Sequence, residues 1–319
     1  MEKILSVKDL CVSSTKNTQS LILKNIDMKI LKGEAFGIMG ETGSGKTMAA
    51  KAIMGLLPHG TKRTFGKINL SGTQLHQLSK KSMRSILGKD IAFIPQNTAG
   101  AFNPLHTIGS QLKSILKNCN GLNNSESEEI AMKWLSTVKL NEIDRIFKSY
   151  PFQLSGGQNQ RILIAIALAL KPKLLIADEP TTALDKINKN KILDLFIELQ
   201  DQYSLTILFI SHDISVIRNL CKRVAVMYAG EIVEEGTENE IFNHPRHPYV
   251  IDLLKWFNYN GKESSLKEED ISNLQFSSKG CGYYSRCSER MDRCQTDNPS
   301  LYQITENQKT RCFLYEGKD

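Results

Sequence analysis

The start of the chain alternates apolar and polar residues, which is the pattern of strands with one buried face. The alternation runs over Ile4–Val12 and again over Leu21–Ile30. It predicts antiparallel strands in both places, and Lys67–Gly72 predicts a further strand. A β-rich region is therefore expected near the start of the chain.

Continuous apolar runs replace this alternation farther along the chain. They lie at residues 35–39, 174–177, 206–210 and 224–228. Short apolar runs of this kind are typical of strands buried on both faces, as in parallel sheets covered by helices. Because helix-forming segments lie between several of them, they predict an α/β fold with a mostly parallel sheet.

A helical period appears between about residues 105 and 150. The apolar residues on one face of this helix are Ile130, Ala131, Trp134, Leu135 and Val138. Ser125 and Glu128 have the spacing of a capping box, which predicts that the helix begins there. Residues 118–124 are predicted to form the preceding loop.

The run at residues 35–39 leads into a glycine-rich segment, Gly40-Glu41-Thr42-Gly43-Ser44-Gly45-Lys46-Thr47. Its spacing, Gly-x-x-x-x-Gly-Lys-Thr, is that of a Walker A loop, which binds the phosphates of a nucleoside triphosphate. Glycines allow backbone N–H groups to turn inward around a polyanion at the start of a helix. Lys46 is expected to reach the β- and γ-phosphates, and Thr47 to offer its hydroxyl to Mg²⁺.

The apolar run at residues 174–177 ends in two acids, Asp178 and Glu179. Hydrolysis of a triphosphate needs Mg²⁺ and an activated water molecule, and such a pair can serve both. Asp178 is predicted to hold the Mg²⁺ shell, and Glu179 to orient the attacking water and take its proton. A plain helix start is the alternative interpretation, since acids followed by Pro180 and Thr181 are common there.

The composition limits the classes of function. The chain has 319 residues, enough for one large domain with an appendage or for two domains. Its net charge of +7 is modest, and its basic residues are interspersed with acids, so nucleic-acid binding is not indicated. The longest apolar segment, residues 162–170, is too short to span a bilayer, and the first residues lack the apolar core of a signal peptide.

The chain contains seven cysteines. Three are scattered and are interpreted as buried thiols, namely Cys11, Cys119 and Cys221. The other four cluster near the C-terminus, namely Cys281, Cys287, Cys294 and Cys312. Because the chain is expected in a reducing compartment, these four are interpreted as metal ligands and not as disulfides.

A further glycine-containing segment, Leu154-Ser155-Gly156-Gly157-Gln158, resembles the signature sequence of ABC-type ATPases. The resemblance implies a P-loop NTPase (RecA-like) nucleotide-binding domain with an antiparallel β subdomain and a helical subdomain. In that family the signature caps the γ-phosphate of a nucleotide held by a partner, which suits amides at a helix N-terminus. A second ATP-binding subunit is therefore implied.

Three more positions match the same family. Gln96 resembles the Q-loop glutamine, which contacts Mg²⁺ and the attacking water and connects to the transport partner. Asp185 lies in Ala183-Leu184-Asp185, which resembles the D-loop that communicates between the two sites of a dimer. His212 resembles the switch histidine that contacts the γ-phosphate.

The chain also departs from the family pattern. ABC ATPases usually have an aromatic residue near the N-terminus that stacks on adenine, but no aromatic residue precedes Phe36, and Ser14 occupies that place. Residues 97–104 follow the usual Asp-Pro-x-x-Ser-Leu-Asn-Pro only loosely. The first departure affects the expected stacking on adenine, and the second affects the expected contact with the membrane partner.

Two C-terminal features resemble one branch of the family. His247-Pro248-Tyr249 looks like a short motif found in the ATPase subunits of peptide and nickel importers. The cysteine spacing resembles the C-terminal module of dipeptide and oligopeptide importer ATPases, which in some members holds a four-iron four-sulfur cluster. Four thiolates can also bind zinc or stay unliganded, but the chain lacks the Cys-x-x-Cys pairs of common zinc sites, so an iron–sulfur cluster is favoured.

The resemblance covers essentially the whole chain. It implies a nucleotide-binding domain over residues 1–250, with a helical subdomain at about 97–170, and a C-terminal extension over residues 251–319. The expected function is that of the ATP-hydrolysing subunit of an ABC importer for di- or oligopeptides. A nickel or metal-chelate importer is the first alternative; a soluble ABC ATPase and a non-enzymatic metal or redox sensor are the others.

The implied partners follow from this function. They are two transmembrane permease subunits, a second ATP-binding subunit and an extracytoplasmic solute-binding protein, with no nucleic acid. The expected location is the cytoplasmic face of the cell membrane, with ATP and Mg²⁺ as cofactors.

Overall fold

The computed structural model of the protein describes residues 2–16, 21–182, 184–258 and 280–317. The strands are β1 (Lys3–Ser14), β2 (Leu21–Leu31), β3 (Ala35–Met39), β4 (Thr61–Leu70), β5 (Thr73–Gln74), β6 (Ile91–Ile94), β7 (Leu174–Asp178), β8 (Ile207–Ile210), β9 (Arg223–Tyr228), β10 (Glu231–Thr237), β11 (Tyr302–Gln303) and β12 (Lys309–Thr310). The helices are α1 (Lys46–Ile53), α2 (Lys80–Ile86), α3 (Ile108–Asn120), α4 (Asn124–Thr137), α5 (Ile143–Lys148), α6 (Gly156–Ala169), α7 (Lys186–Tyr203), α8 (Ile214–Leu220), α9 (Glu238–Asn243), α10 (Pro248–Asn258) and α11 (Arg293–Thr296).

These elements form two compact units. The first unit comprises Met1–Ile4, Leu31–Glu34 and Gln77–Phe209, and the second comprises Leu5–Ile30, Ala35–His76 and Ile210–Asp319. None of the helices in the described ranges is long and apolar enough to cross a membrane. Residues 258–280 are rich in Ser, Lys and Glu, which predicts a linker or a surface hairpin, and they lie almost entirely outside the described residues.

The second unit contains the β-rich region predicted from the first residues. Strands β1, β2, β4 and β5 form one sheet in the order β2-β1-β4-β5, and β1 runs antiparallel to β4. The strand predicted at Lys67–Gly72 is β4, but it begins earlier and ends at Leu70. Ser71 and Gly72 have φ angles of 47° and 89°, so they form a turn and cannot continue the strand.

A second sheet in the same unit contains the buried strand that leads into the phosphate loop. Its order is β11-β12-β10-β9-β3, in which β3 is parallel to β9 and the remaining pairs are antiparallel. All residues of β3 are buried, as predicted for a continuous apolar run. Helix α8 packs closely on this strand, since a Cβ on Gly37 would lie 2.9 Å from a side-chain carbon of Ile217.

The first unit is built on three strands in the order β8-β7-β6, with β6 parallel to β7. Strands β7 and β8 are fully buried, which confirms the interpretation of their apolar runs. Helices pack around them, and Phe196 of α7 meets Phe209 of β8 edge to face, with ring centroids 5.4 Å apart. The α/β class with mostly parallel central strands is therefore confirmed.

One helix boundary in the first unit was predicted wrongly. Helix α4 begins at Asn124, and its capping box consists of Asn123 and Glu126, not of Ser125 and Glu128. Helix α3 extends to Asn120 and ends at Gly121, whose φ of 69° is typical of a helix C-terminus. The loop is consequently only three residues long. Of the predicted apolar face, Ala131, Trp134, Leu135 and Val138 are buried, and Ile130 is half-buried.

Candidate nucleotide site

The phosphate loop of the second unit connects β3 to α1. Gly40, Gly43 and Gly45 have φ angles of 148°, 84° and 105°, a backbone region that favours glycine. At Gly40 a Cβ would also lie only 2.2 Å from the carbonyl oxygen of Met227. The loop can therefore adopt this path only with glycine at that position.

The polar groups of this loop suit a polyphosphate. Lys46 is 4% exposed, and its Nζ donates hydrogen bonds to the carbonyl oxygens of Gly40 and Glu41, each 2.8 Å away. The hydroxyl oxygen of Ser44 is buried and has no hydrogen-bond partner within the described residues. Thr42 and Gly43 are exposed, and Thr47 is the second residue of α1. A buried cation attracts an anionic ligand, and the oxygens of such a ligand could accept a hydrogen bond from the Ser44 hydroxyl.

In the first unit, the acidic pair lies at the end of β7. Asp178 is the last residue of that strand and is 2% exposed, and Glu179 follows with a φ of 47°. Glu179 Oε2 accepts hydrogen bonds from Gln96 Nε2 and Thr182 Oγ1, each at 3.0 Å. Helix α7 begins only at Lys186, so the interpretation of the acids as a plain helix start is wrong.

The predicted signature segment forms the start of α6. Ser155 is the N-cap, and its hydroxyl accepts a hydrogen bond of 3.2 Å from Gln158 N. Gln158 Oε1 accepts one of 3.0 Å from Ser155 N, which completes a capping box. Gly156 and Gly157 are the first two helical residues, and Ser155 and Gly156 are exposed. An exposed helix start of this kind is suited to bind an anion, because its first backbone N–H groups have no partner within the helix.

Asp185 and His212 each lie next to the start of a helix. Asp185 caps α7 by accepting hydrogen bonds from the N–H groups of Ile187 and Asn188, both at 3.1 Å. Hydrogen bonds lower the pKa of Asp185, and the largest effect comes from the backbone N–H of Asn188, followed by that of the Asn188 side-chain amide. His212 is exposed and lies two residues beyond β8. Ala183 lies outside the described residues.

The four C-terminal cysteines line one partly enclosed cavity, together with residues of the α10 start. Cys281 N donates a 2.8 Å hydrogen bond to Cys294 O, which holds two of the cysteine segments together. Burial raises the pKa of Cys281 and of Cys312 to about 11. Within the described residues, however, no three His, Cys, Asp or Glu side chains are arranged to hold a metal ion.

Of the three isolated cysteines, Cys11 and Cys221 are buried as predicted. Cys119 is only half-buried, because it lies in the last turn of α3 near the chain surface.

Sequence reasoning missed the residues that join the cysteine cavity to the phosphate loop. The guanidinium of Arg286 pairs with the carboxylate of Glu41, with Nη1–Oε2 and Nη2–Oε1 distances of 3.1 and 3.4 Å. Glu41 N donates a 3.1 Å hydrogen bond to the hydroxyl oxygen of Tyr249. Tyr249 belongs to the predicted His247-Pro248-Tyr249 motif, so that motif contacts the loop directly. No sequence pattern could have indicated Arg286, since the partners are 245 positions apart.

The structure places the Ser-Gly-Gly-Gln segment at a helix start and the glycine-rich loop between β3 and α1, and these are the two segments on which the resemblance to ABC-type ATPases mainly depends. Comparison with known proteins agrees. Residues 23–182 match the family model "ABC transporter", and residues 233–294 match "Oligopeptide/dipeptide transporter, C-terminal region".

Individual relatives and solved structures are similar over most of the chain. The dipeptide transport ATP-binding protein DppD of Bacillus subtilis is 38% identical over 323 residues, covering 100% of this chain and 96% of the relative. The metal-staphylopine import system ATP-binding protein CntD of Staphylococcus aureus is 41% identical over 79% of this chain and 92% of the relative. The dimeric structure of MJ0796, a bacterial ABC transporter cassette, superposes with a TM-score of 0.65 at 30% identity, covering 74% of this chain and 99% of that one.

The chain therefore belongs to the ABC transporter family, in the group that carries the oligopeptide/dipeptide transporter C-terminal region. It is an ATP-binding cassette of the kind that hydrolyses ATP, with Mg²⁺ as the usual metal of such sites.

Proposed function

We propose that this chain is the ATP-hydrolysing subunit of an importer of di- or oligopeptides. The observation that carries the proposal is the match to a dipeptide transport subunit over the full chain, C-terminal region included. The metal-staphylopine relative matches a smaller part of the chain, so uptake of a metal chelate is the second candidate.

Hydrolysis in this proposal uses the phosphate loop and the acidic pair at the end of β7. The phosphate loop, Gly40 to Thr47, binds the phosphates, with Lys46 on the β- and γ-phosphates. Thr47, Gln96 and Asp178 would hold Mg²⁺, which would supply positive charge against the phosphate oxygens. Glu179 takes the proton of the attacking water. The side-chain amide of Gln96 donates a 3.0 Å hydrogen bond to the Glu179 carboxylate and so positions that carboxylate for its role.

The remaining predicted residues act at the junction with a second ATP-binding subunit. Ser155, Gly156, Gly157 and Gln158 cap the γ-phosphate held by the partner, His212 contacts the γ-phosphate, and Asp185 relays between the two sites. The exposure of Ser155 and Gly156 supports this assignment, because a group that serves a partner must be accessible.

The partners in this proposal are two transmembrane permease subunits, a second ATP-binding subunit and an extracytoplasmic solute-binding protein. The chain would then lie at the cytoplasmic face of the membrane as a peripheral subunit. The nucleotide-binding domain is assigned to residues 1–250, with its helical subdomain at about 97–170, and the C-terminal extension to residues 251–319.

The four C-terminal cysteines are proposed to hold a four-iron four-sulfur cluster. Their position around one cavity supports the proposal. Zinc is the alternative, and it is less favoured because the chain lacks the Cys-x-x-Cys pairs of common zinc sites. Purification without oxygen, followed by iron and sulfide analysis and visible absorption, is the test, and protein that contains zinc or no metal contradicts it.

The import function is tested by reconstituting the full set of subunits in liposomes. A dipeptide with its binding protein is expected to accelerate ATP hydrolysis and to accumulate inside, whereas a nickel chelate does neither. Glu179→Gln is expected to lower turnover by about a hundredfold or more while ATP binding persists, since only the general base is lost. If only the nickel chelate accelerated ATP hydrolysis, the dipeptide proposal would be wrong and uptake of a metal chelate would replace it.

A further inference from the structure

The cysteine module, defined here as residues 280–317, contacts the phosphate loop through the charged side chain of Arg286. Arg286 immediately precedes Cys287 and forms the paired contact with Glu41 described above. The Arg286 side chain is 19% exposed and that of Glu41 24%. Two parallel hydrogen bonds in such a partly buried place fix the orientation of both groups more firmly than a surface pair does.

Three tyrosines hold this contact in place. The guanidinium carbon of Arg286 lies 5.9 Å from the ring centroid of Tyr228 and 5.6 Å from that of Tyr283. Tyr283 donates a 2.8 Å hydrogen bond to Asp252 Oδ2, which ties the module to α10. Tyr249 accepts the hydrogen bond from Glu41 N, so the backbone of the loop is held as well as its carboxylate.

The charge at this point matters because of what the loop binds. Glu41 puts a carboxylate into a segment whose ligand is a polyanion. The backbone carbonyl of the same residue accepts a hydrogen bond from Lys46, so a movement of Glu41 also disturbs the lysine. An uncompensated negative charge there would repel a triphosphate, and at such short range the repulsion is only partly screened.

We propose that Arg286 is a positioning residue for ATP binding, supplied to the phosphate loop by the cysteine module: it neutralises Glu41 and fixes the loop in the form that accepts the triphosphate. It follows that nucleotide affinity depends on the docked module. This inference needs only the ATP-binding activity of the cassette, and not the imported solute or the content of the cysteine cavity.

The test compares ATP affinity among variants of the full chain, using a fluorescent ATP analogue with Mg²⁺. Arg286→Gln is expected to weaken binding by about tenfold, within the usual range of site-to-site coupling. Glu41→Gln is expected to bind more tightly, because it leaves the Arg286 cation next to the phosphates. The double variant is expected to regain part of the lost affinity, because it removes the negative charge but not the loss of the ion pair, and Arg286→Lys is expected to lie between Arg286→Gln and the unchanged chain.

A matched control is available in the same module. Arg293 immediately precedes Cys294 as Arg286 precedes Cys287, but it pairs with Glu316, a residue of the same module. Arg293→Gln should leave ATP affinity unchanged. In ATPase assays Arg286→Gln should raise KM for ATP and leave kcat nearly constant, since the groups that act on the water are untouched.

Two results would overturn the proposal. In one, the double variant binds ATP as weakly as Arg286→Gln, which would mean that the charge of Glu41 is irrelevant. In the other, Arg293→Gln weakens binding equally, which would mean that any damage to the module has the same effect. If Arg286→Gln does not fold, Arg286→Lys and the double variant still give the comparison, because one keeps the cation and the other removes both charges.

Discussion

At the scale of single residues, Glu234 is an unusual carboxylate. It lies on β10 with no exposed surface, and it accepts hydrogen bonds from the N–H groups of Arg246 and His247 and from Gln308 Nε2. Burial raises its pKa from 4.5 to about 7, although these hydrogen bonds act in the opposite direction. Burial also lowers the pKa of His247 to about 3, so this neighbour is neutral at physiological pH.

The sign of the resulting pH dependence follows from the raised pKa. The contribution of Glu234 to the free energy of unfolding is fully present below pH 4.5 and decreases as the pH rises to about 7. The loss amounts to at most about 3 kcal/mol. Unfolding midpoints of the unchanged chain and of Glu234→Gln, measured between pH 4.5 and 8, should therefore diverge in favour of the variant as the pH rises.

His247 titrates in the opposite sense, since a lowered pKa stabilises the fold above about pH 6.5. His247 is present in the unchanged chain and in Glu234→Gln, so its contribution cancels in the difference between their unfolding midpoints. A difference that stays constant from pH 4.5 to 7 would show that Glu234 has an ordinary pKa in the folded chain.

At the scale of secondary-structure elements, Ser155 at the start of α6 has two roles, helix capping and, in the proposed function, phosphate binding, and substitutions of this residue can separate them. The hydroxyl of Ser155 caps the helix as an acceptor, and in the proposed function its proton faces a phosphate. Ser155→Ala is expected to lower the free energy of unfolding by about 1 kcal/mol, the usual effect of losing a serine cap. The same variant should also reduce ATPase activity with the partner subunit.

Ser155→Asp distinguishes these two roles. Aspartate is as good an N-cap as serine, so the unfolding midpoint should match that of the unchanged chain. Its carboxylate, however, would face the γ-phosphate, and ATPase activity should be lost. Ser155→Thr, which keeps the cap and the hydroxyl, is the control, and full activity of Ser155→Asp would contradict the proposed role of the signature.

The elements that could be predicted are those whose sequence admits a single arrangement. The run Ala35–Met39 is apolar throughout, and a glycine-rich loop follows it, so β3 was placed correctly. The start of α4 was not, because Asn123 with Glu126 has the same spacing as Ser125 with Glu128. Spacing alone cannot choose between two such pairs, and the choice depends on where α3 ends.

At the scale of the whole molecule, the nucleotide-binding residues could be proposed from the sequence because each chemical role requires a fixed local motif. The contact of Arg286 with Glu41 has no such motif, since it joins segments that only the fold brings together. The cysteine cavity is intermediate: its four residues could be named from their spacing, but burial of the thiols and their shared cavity are properties of the packed module.

The sequence contains one phosphate loop and one signature segment. In the proposed function, a closed site therefore needs the signature of a second ATP-binding subunit. Glu179→Gln should trap this closed state, because bound ATP is then hydrolysed very slowly. Sedimentation of this variant with the homologous subunit of the importer should show a complex in the presence of ATP and Mg²⁺, and separate chains with ADP. Adding Ser155→Asp should prevent association by placing a carboxylate against the partner's ATP, whereas association that is independent of nucleotide or unaffected by Ser155→Asp would mean that the two chains do not share ATP.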